Sequence, residues 1–325
     1  MSTDYAERLP PDCLMSEGAL QPLADSEQAL LQALSQAPHN VTLLALDNAT
    51  LRLPGHRFGP FSMRLAAGER VAILGPSGAG KSTLLKLMSA EYKALSGHVQ
   101  FEGQPLHSWQ PAALARRRAV LPQSHSVAFD LPVSLVVALG RVARLSDVNA
   151  DPHQAAIVTQ ALQLAQAAHL ALRRFDTLSG GEQARVQLAR VFAQLWDARD
   201  ALVLVDEPLA ALDPGLQFDL MDAMQTFTQA RGHALVAVLH DINQALSGFD
   251  RLWLLRDGQL QADIASDANA VPALEALYGI GLRTVAVGQH LHDSDHNNDH
   301  NNDHNSGFAV IPYRRAVQAT QATPN

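Results

Sequence analysis

Apolar and polar positions change their rhythm three times along this 325-residue chain. Residues 1–40 show no strand-like alternation, and Pro10, Pro11, Pro22 and Pro38 interrupt them. Asp25, with Gln28 three positions on, is placed to cap a short helix over Glu27–Ala37, with Leu30, Leu31 and Leu34 on one face. The segment reads either as an extension with one docked helix or as a disordered tail. From Val41 the pattern becomes strand-like: Val41–Leu46, Ala49–Leu53 and Pro60–Leu65 are short and partly alternating. Arg70–Leu74, Ala119–Leu121, Ala201–Val205, Ala234–Leu239 and Leu252–Leu255 are compact apolar runs, as expected of parallel strands buried on both faces. Arg70–Leu74 runs into a glycine-rich turn and then the helical stretch Lys81–Tyr92, which makes a βα unit. Between about 127 and 177 the strand pattern vanishes in favour of Ala/Leu/Gln-rich helical spacing, as in Pro152–Ala168. An all-helical insertion inside an α/β core is the natural reading. Beyond residue 280, Leu282–Val287 and Phe308–Pro312 are strand-like and flank a polar tract; no 20–50-residue repeat is visible.

Composition narrows the function classes. With 47% hydrophobic and 17% charged residues, the chain can bury a sizeable core. Its longest apolar stretches, such as Val133–Gly140 and Ala201–Val205, fall far short of a bilayer span. The opening MSTDYAERLPPDC has no basic segment followed by an apolar one, so no secretory signal is expected. The single cysteine, Cys13, excludes an internal disulfide framework and fits a reducing compartment. A net charge of −8 argues against a general nucleic-acid binder, though not against a local nucleotide cradle.

Three segments carry chemistry. Gly75-Pro76-Ser77-Gly78-Ala79-Gly80-Lys81-Ser82 matches G-x-x-x-x-G-K-[ST], with Thr83 beside it. Glycines let the backbone wind so tightly that successive N–H groups face phosphate oxygens, and the following helix adds its positive end. Lys81 would reach the β/γ-phosphates and the Ser82 hydroxyl would ligate Mg²⁺. Ala201–Val205 ends in Asp206 and Glu207, at the strand edge where open α/β sheets bind ligands. Two adjacent acids can divide the work, Asp206 in the Mg²⁺ shell and Glu207 orienting the attacking water. Leu178-Ser179-Gly180-Gly181-Glu182-Gln183 precedes a helical run to Leu195. It is either a second anion-binding helix end or a helix start capped by Ser179. Gln123 and His240 each follow a predicted strand and would face the same crevice as Asp206.

These segments, in this order, resemble the ATP-binding cassette (ABC) ATPases over about residues 41–285. Gly75–Ser82 is similar to Walker A, Gln123 to the Q-loop glutamine, and Leu178–Gln183 to the ABC signature. Leu204–Glu207 is similar to Walker B with its catalytic glutamate, Ala211-Leu212-Asp213 to the D-loop and His240 to the switch histidine. The resemblance implies an α/β fold: a P-loop NTPase cassette with a RecA-like core, an antiparallel β subdomain and an all-helical insertion at about 124–180. Residues 286–325 would form a C-terminal segment. Within the family, Arg116–Gln123, Phe129, Val133, Gly140-Arg141, Leu188–Trp196 and Leu239–Asn243 look most like the ATPases that import iron chelates and haem, the haemin importers above all.

That likeness implies a head-to-tail homodimer on the cytoplasmic face of the inner membrane, peripheral to two transmembrane permease subunits. A periplasmic haem- or chelate-binding protein would deliver the cargo, and no nucleic acid is involved. ATP and Mg²⁺ are the implied cofactors, the metal held by Ser82, Gln123 and, through water, Asp206. Glu207, His240 and Gln123 would be catalytic, with Ser179, Gly180 and Gly181 reaching the γ-phosphate from the other copy. Siderophore, cobalamin and metal importers are alternative readings. A soluble repair or translation ATPase is a more distant one, disfavoured because Lys81 and Ser179 stand too close in sequence to enclose a long arm. A metal-binding regulator with a vestigial cassette ranks last, since every expected hydrolytic residue is present. The chain departs from the family at Pro208-Leu209-Ala210-Ala211, where Thr-Ser is common, a change expected to touch dimer contacts rather than chemistry. It also lacks an evident aromatic at 51–56 to stack on adenine, where Arg52 or His56 are the substitutes.

One feature lies outside the resemblance. His292, His296, His300 and His304 recur every four residues in a His/Asp/Asn-rich loop at 290–305. Imidazole with carboxylate suits Zn²⁺, Ni²⁺ or Cu²⁺, but the Asn/Asp filling disfavours a helix that would stack the rings. A slipped-repeat surface insertion, weak metal or haem capture, and a pH-responsive role are the three readings.

Overall fold

The computed structural model describes residues 42–122, 131–144, 153–207, 213–286 and 308–313. The extension 1–40, Gln123, Phe129, Pro208–Leu212 and the histidine tract lie outside the described residues.

Strand β1 (Thr42–Leu53) turns through Pro54-Gly55 into β2 (His56–Ala66), which leads to β3 (Arg70–Leu74) and helix α1 (Lys81–Met88). The chain continues through β4 (Ser96–Phe101), β5 (Gln104–Pro105), α2 (Pro111–Ala115) and β6 (Arg118–Leu121). Helices α3 (Val133–Ala138), α4 (Gln154–Leu164) and α5 (Gly180–Leu195) follow. Then come β7 (Leu202–Asp206), α6 (Pro214–Gln229), β8 (Ala234–Val238), α7 (Ile242–Gly248), β9 (Arg251–Arg256) and β10 (Gln259–Ala265). Helix α8 (Val271–Tyr278) leads into β11 (Gly281–Ala286), which pairs antiparallel with β12 (Phe308–Tyr313).

The central sheet has the order β10-β9-β3-β8-β7-β6, parallel throughout except for β10. Period-two alternation sends its side chains into two separate cores. Val71, Ile73, Leu202, Leu204, Val236, Val238, Trp253 and Leu255 face α1 and the antiparallel sheet β2-β1-β4-β5. Ala72, Leu74, Val203, Val205, Leu235, Ala237, Leu252 and Leu254 face the other layer, which holds α5 and α6. Burying both faces explains why these strands read as unbroken apolar runs. The helical insertion joins this second core through Val133, Val136, Val137, Ile157, Ala161 and Phe175. Arg141, 2% exposed, ties it down by donating to Ala193 O (3.1 Å) and Asp197 Oδ2 (2.9 Å). The two strands expected at Val41–Leu46 and Ala49–Leu53 are one. Its register shifts around Asn48, which takes φ 46°, a region asparagine tolerates, and gives its N–H to Ser62 Oγ. Helix α1 is four residues shorter than its pattern suggests. Ala90 turns left-handed (φ 64°), and the Tyr92 N–H returns to Lys86 O (3.0 Å), closing the helix end.

Candidate nucleotide site

The parallel strands end on one edge, and β3 hands over there to the loop Gly75–Ser82. Gly80 opens α1 at φ 94°, where L side chains are strained, and a Cβ there would lie 2.7 Å from the Phe58 ring. The loop is pinned from behind by the Gly258 N–H on Ala79 O (3.1 Å). Lys81 is 5% exposed, and its ammonium donates to Gly75 O (2.9 Å) and Pro76 O (3.2 Å). An ammonium has three donors, so one is left for a phosphate oxygen. Burial draws the Lys81 pKa below the usual lysine range, against the pull of Glu207 and Asp206.

Asp206 ends β7 at 7% exposure, and its Oδ1 accepts from Ser82 Oγ at 2.9 Å. Burial pushes its carboxyl above the ordinary aspartate value; the Ser82 hydrogen bond works the other way. Glu207 follows at φ 46°, a left-handed conformation that turns the chain off the strand. Its Oε1 lies 2.6 Å from His240 Nε2, at the end of β8. The next residue, Asp241, caps α7 by accepting from the Asn243 and Gln244 N–H groups.

His56, Phe58, Ser77–Thr83, Glu207 and His240 line a cleft of ≈ 470 Å³, a volume ordinary for a nucleotide pocket. Of the two substitutes expected for the adenine-stacking aromatic, His56 lines the cleft and Arg52 does not. Phe58, on β2, is a wall that sequence reasoning missed; it sits just past the stretch where an aromatic was sought. Ser179, Gly180 and Gly181 line no part of this cleft. They begin α5 in a reciprocal cap: Ser179 Oγ accepts from the Glu182 N–H, and Glu182 Oε2 accepts from the Ser179 N–H (2.8 Å). The capping reading is met at this helix start. Arg173 donates to Glu182 Oε1 (2.9 Å), balancing the acid beside that helix end. Asp213 is the N-cap of α6, accepting from the Leu216 N–H (3.0 Å).

The described residues hold no cluster of three or more His, Cys, Asp or Glu side chains that could take a transition metal. Ser82 and Asp206 fit Mg²⁺, which asks for one or two hard oxygen ligands beside phosphates and water. With lysine, two carboxylates and imidazole around a glycine-built anion cradle, the edge can bind a triphosphate and direct a water at it.

A family model described as ABC transporter matches residues 58–210. The hemin import ATP-binding protein HmuV of Methylobacillus flagellatus is 42% identical over 215 residues, 66% of this chain and 80% of that protein. HmuV of Pseudomonas putida is 40% identical over 232 residues, 71% of this chain and 89% of that protein. Among solved structures, an inward-facing metal-chelate type ABC transporter superimposes with a TM-score of 0.67 at 23% identity, over 84% of this chain and 98% of that one. The ATP-binding cassette MJ1267 in its ADP conformation gives 0.62 at 21%, over 73% and 97%. Sequence and fold agree: the chain belongs to the ABC transporter family as an ATP-binding subunit, the kind that hydrolyses ATP to drive transport.

Proposed function

We propose that this subunit powers uptake of haem across the inner membrane. Two copies would sit on the cytoplasmic side of two permease subunits that a periplasmic haem-binding protein supplies. The cargo reading is supported by relatives at about 40% identity that are named for haemin import. No helix among the described residues is long and apolar enough to cross a membrane, so permeases would provide the path. The observation that carries the dimer is the incomplete cleft. Lys81, Glu207 and His240 gather on one side, while the anion-binding start of α5 lies elsewhere in the same copy. A two-fold pairing brings the Ser179–Gly181 end of one chain to the γ-phosphate held by the other.

In this arrangement the Gly75–Thr83 amides and the free Lys81 donor hold the phosphates. Ser82 and Asp206 would hold Mg²⁺, with Gln123 beside them; the ion, when bound, neutralises charge on the phosphate oxygens. Glu207 aligns the water for in-line attack, and His240, already bonded to Glu207, keeps carboxylate and γ-phosphate in register. Loss of the γ-phosphate removes the charge bridging the two chains. The seam opens, and the helical insertion passes the movement to the permeases.

Reconstitution with the permeases in vesicles tests this. Glu207→Gln should bind ATP, accumulate as a nucleotide-bound dimer and lose phosphate release by roughly 100-fold or more. Undiminished release removes Glu207 from its role. The cargo is tested separately: turnover stimulated by a siderophore-loaded or cobalamin-loaded delivery protein, and not by a haem-loaded one, overturns the haem assignment alone.

A further inference from the structure

We infer that the C-terminal unit α8–β11–β12 sets the geometry of the phosphate loop, with Tyr278 as its positioning residue. Gly75 has left the β3 ladder, which ends at Leu74, and its N–H is taken by Tyr278 Oη at 3.1 Å. The carbonyl of the same residue accepts from Lys81 Nζ at 2.9 Å. Tyrosine hydroxyl and lysine ammonium thus hold the peptide groups on either side of one α-carbon. The third side is closed as well, since a Cβ on Gly75 would stand 2.2 Å from Leu255 O. Holding the Gly75 N–H therefore restrains one side of the residue whose carbonyl aims Lys81.

Tyr278 is itself held. It ends α8, where Gly279 (φ 67°) returns its N–H to Glu275 O (2.8 Å), and Glu275 Oε1 accepts from the Leu282 N–H (2.7 Å) on β11. Strand β12 lies antiparallel to β11 in unbroken register. Its Val310 exchanges both backbone groups with the Asn243 side chain, N–H to Oδ1 at 2.7 Å and O from Nδ2 at 3.1 Å. Asn243 stands in the first turn of α7, three residues after His240. One continuous unit therefore runs from the phosphate loop to the helix beside His240. The hydroxyl is half-buried, and burial raises its pKa, so it stays protonated with its oxygen free to accept.

Tyr278→Phe tests this in the full-length subunit: it keeps the ring and its packing and removes one acceptor. The expected result is a KM for ATP raised roughly three- to tenfold, the worth of one hydrogen bond, with kcat within about twofold. A merely structural loss lowers the active fraction, and so kcat, without moving KM. Amide exchange gives a second readout: the Gly75 N–H should be protected in the wild-type chain and exposed in the variant. An unchanged KM in the folded variant overturns the assignment. So does a wild-type Gly75 amide that exchanges like one in an unstructured loop, a measurement that decides the matter even if the variant folds poorly.

Discussion

Asp206 shows what a phosphate-binding edge costs the fold. Its carboxylate lies almost out of water, and burial raises its pKa above that of an unfolded aspartate. A raised acid pKa means the native state holds its proton more tightly than the unfolded chain does. The stabilising contribution is present below the ordinary carboxylate range and is lost as pH rises through the folded value. Wherever it is ionised, the group is therefore a net burden on the fold, relieved in part by the Ser82 hydroxyl. Asp206→Asn keeps an oxygen to accept from Ser82 and removes the charge. Without nucleotide this variant should melt above wild type, while its Mg²⁺-dependent phosphate release falls by roughly 100-fold or more. Calorimetry beside a phosphate assay checks both; a lower melting temperature would show that Asp206 is structurally satisfied, not stored for function. Lys81, buried with its pKa drawn down, follows the same logic with the opposite charge.

At the scale of elements, the loop between β3 and α1 is a backbone device first and a set of side chains second. Gly80→Ala imposes two separate penalties. The φ of 94° strains any L residue by about 1–2 kcal/mol, and the new methyl meets the Phe58 ring at 2.7 Å. Adding Phe58→Leu relieves the contact but not the backbone. The single variant should lose about 2–3 kcal/mol of stability and bind ATP at least roughly tenfold more weakly; the double should regain part of the stability and little of the affinity. Urea unfolding and nucleotide titration separate the two, and full recovery of affinity in the double would make the clash, not the strain, the cause. This loop was legible in the sequence because its chemistry is local, eight residues with fixed spacing between an apolar run and a helix. The same holds for Asp206 and Glu207 at the end of a fully buried strand, and for Ser179 before α5. Other elements gave no such signal. Strand β10 alternates at every position, but as a half-exposed edge strand it has no fully buried face and no unbroken apolar run to mark it. Asn48 bends β1 without breaking it, so one strand read as two. Tyr278 meets Gly75 across 203 positions of sequence, and no local pattern encodes a contact of that span.

The whole molecule depends on a central sheet whose β7 and β8 begin beside each other, and a histidine is built into that start. His233, 1% exposed between α6 and β8, accepts the Ala201 N–H on Nδ1 at 3.0 Å and packs on Phe227 with ring centroids 5.5 Å apart. Accepting on Nδ1 requires the neutral ring. Burial, and then Arg231, lower its pKa from 6.5 to about 3. Here the native pKa is depressed, so the stabilising contribution is intact above 6.5 and is lost as pH falls towards 3, the unfolded chain taking a proton that the native state refuses. Each pH unit inside that window removes roughly 1.4 kcal/mol. His233→Asn offers Oδ1 to the same N–H and has no proton to gain. At pH 8 it should be less stable than wild type by about 1–2 kcal/mol, through lost packing on Phe227. That deficit should shrink as pH falls below 6.5 and reverse between about pH 6 and pH 5. Urea midpoints from pH 8 to pH 4.5 measure it. Two curves that stay parallel would mean that the acid sensitivity of this fold arises elsewhere, in the carboxylates of the nucleotide edge and not at the root of the sheet.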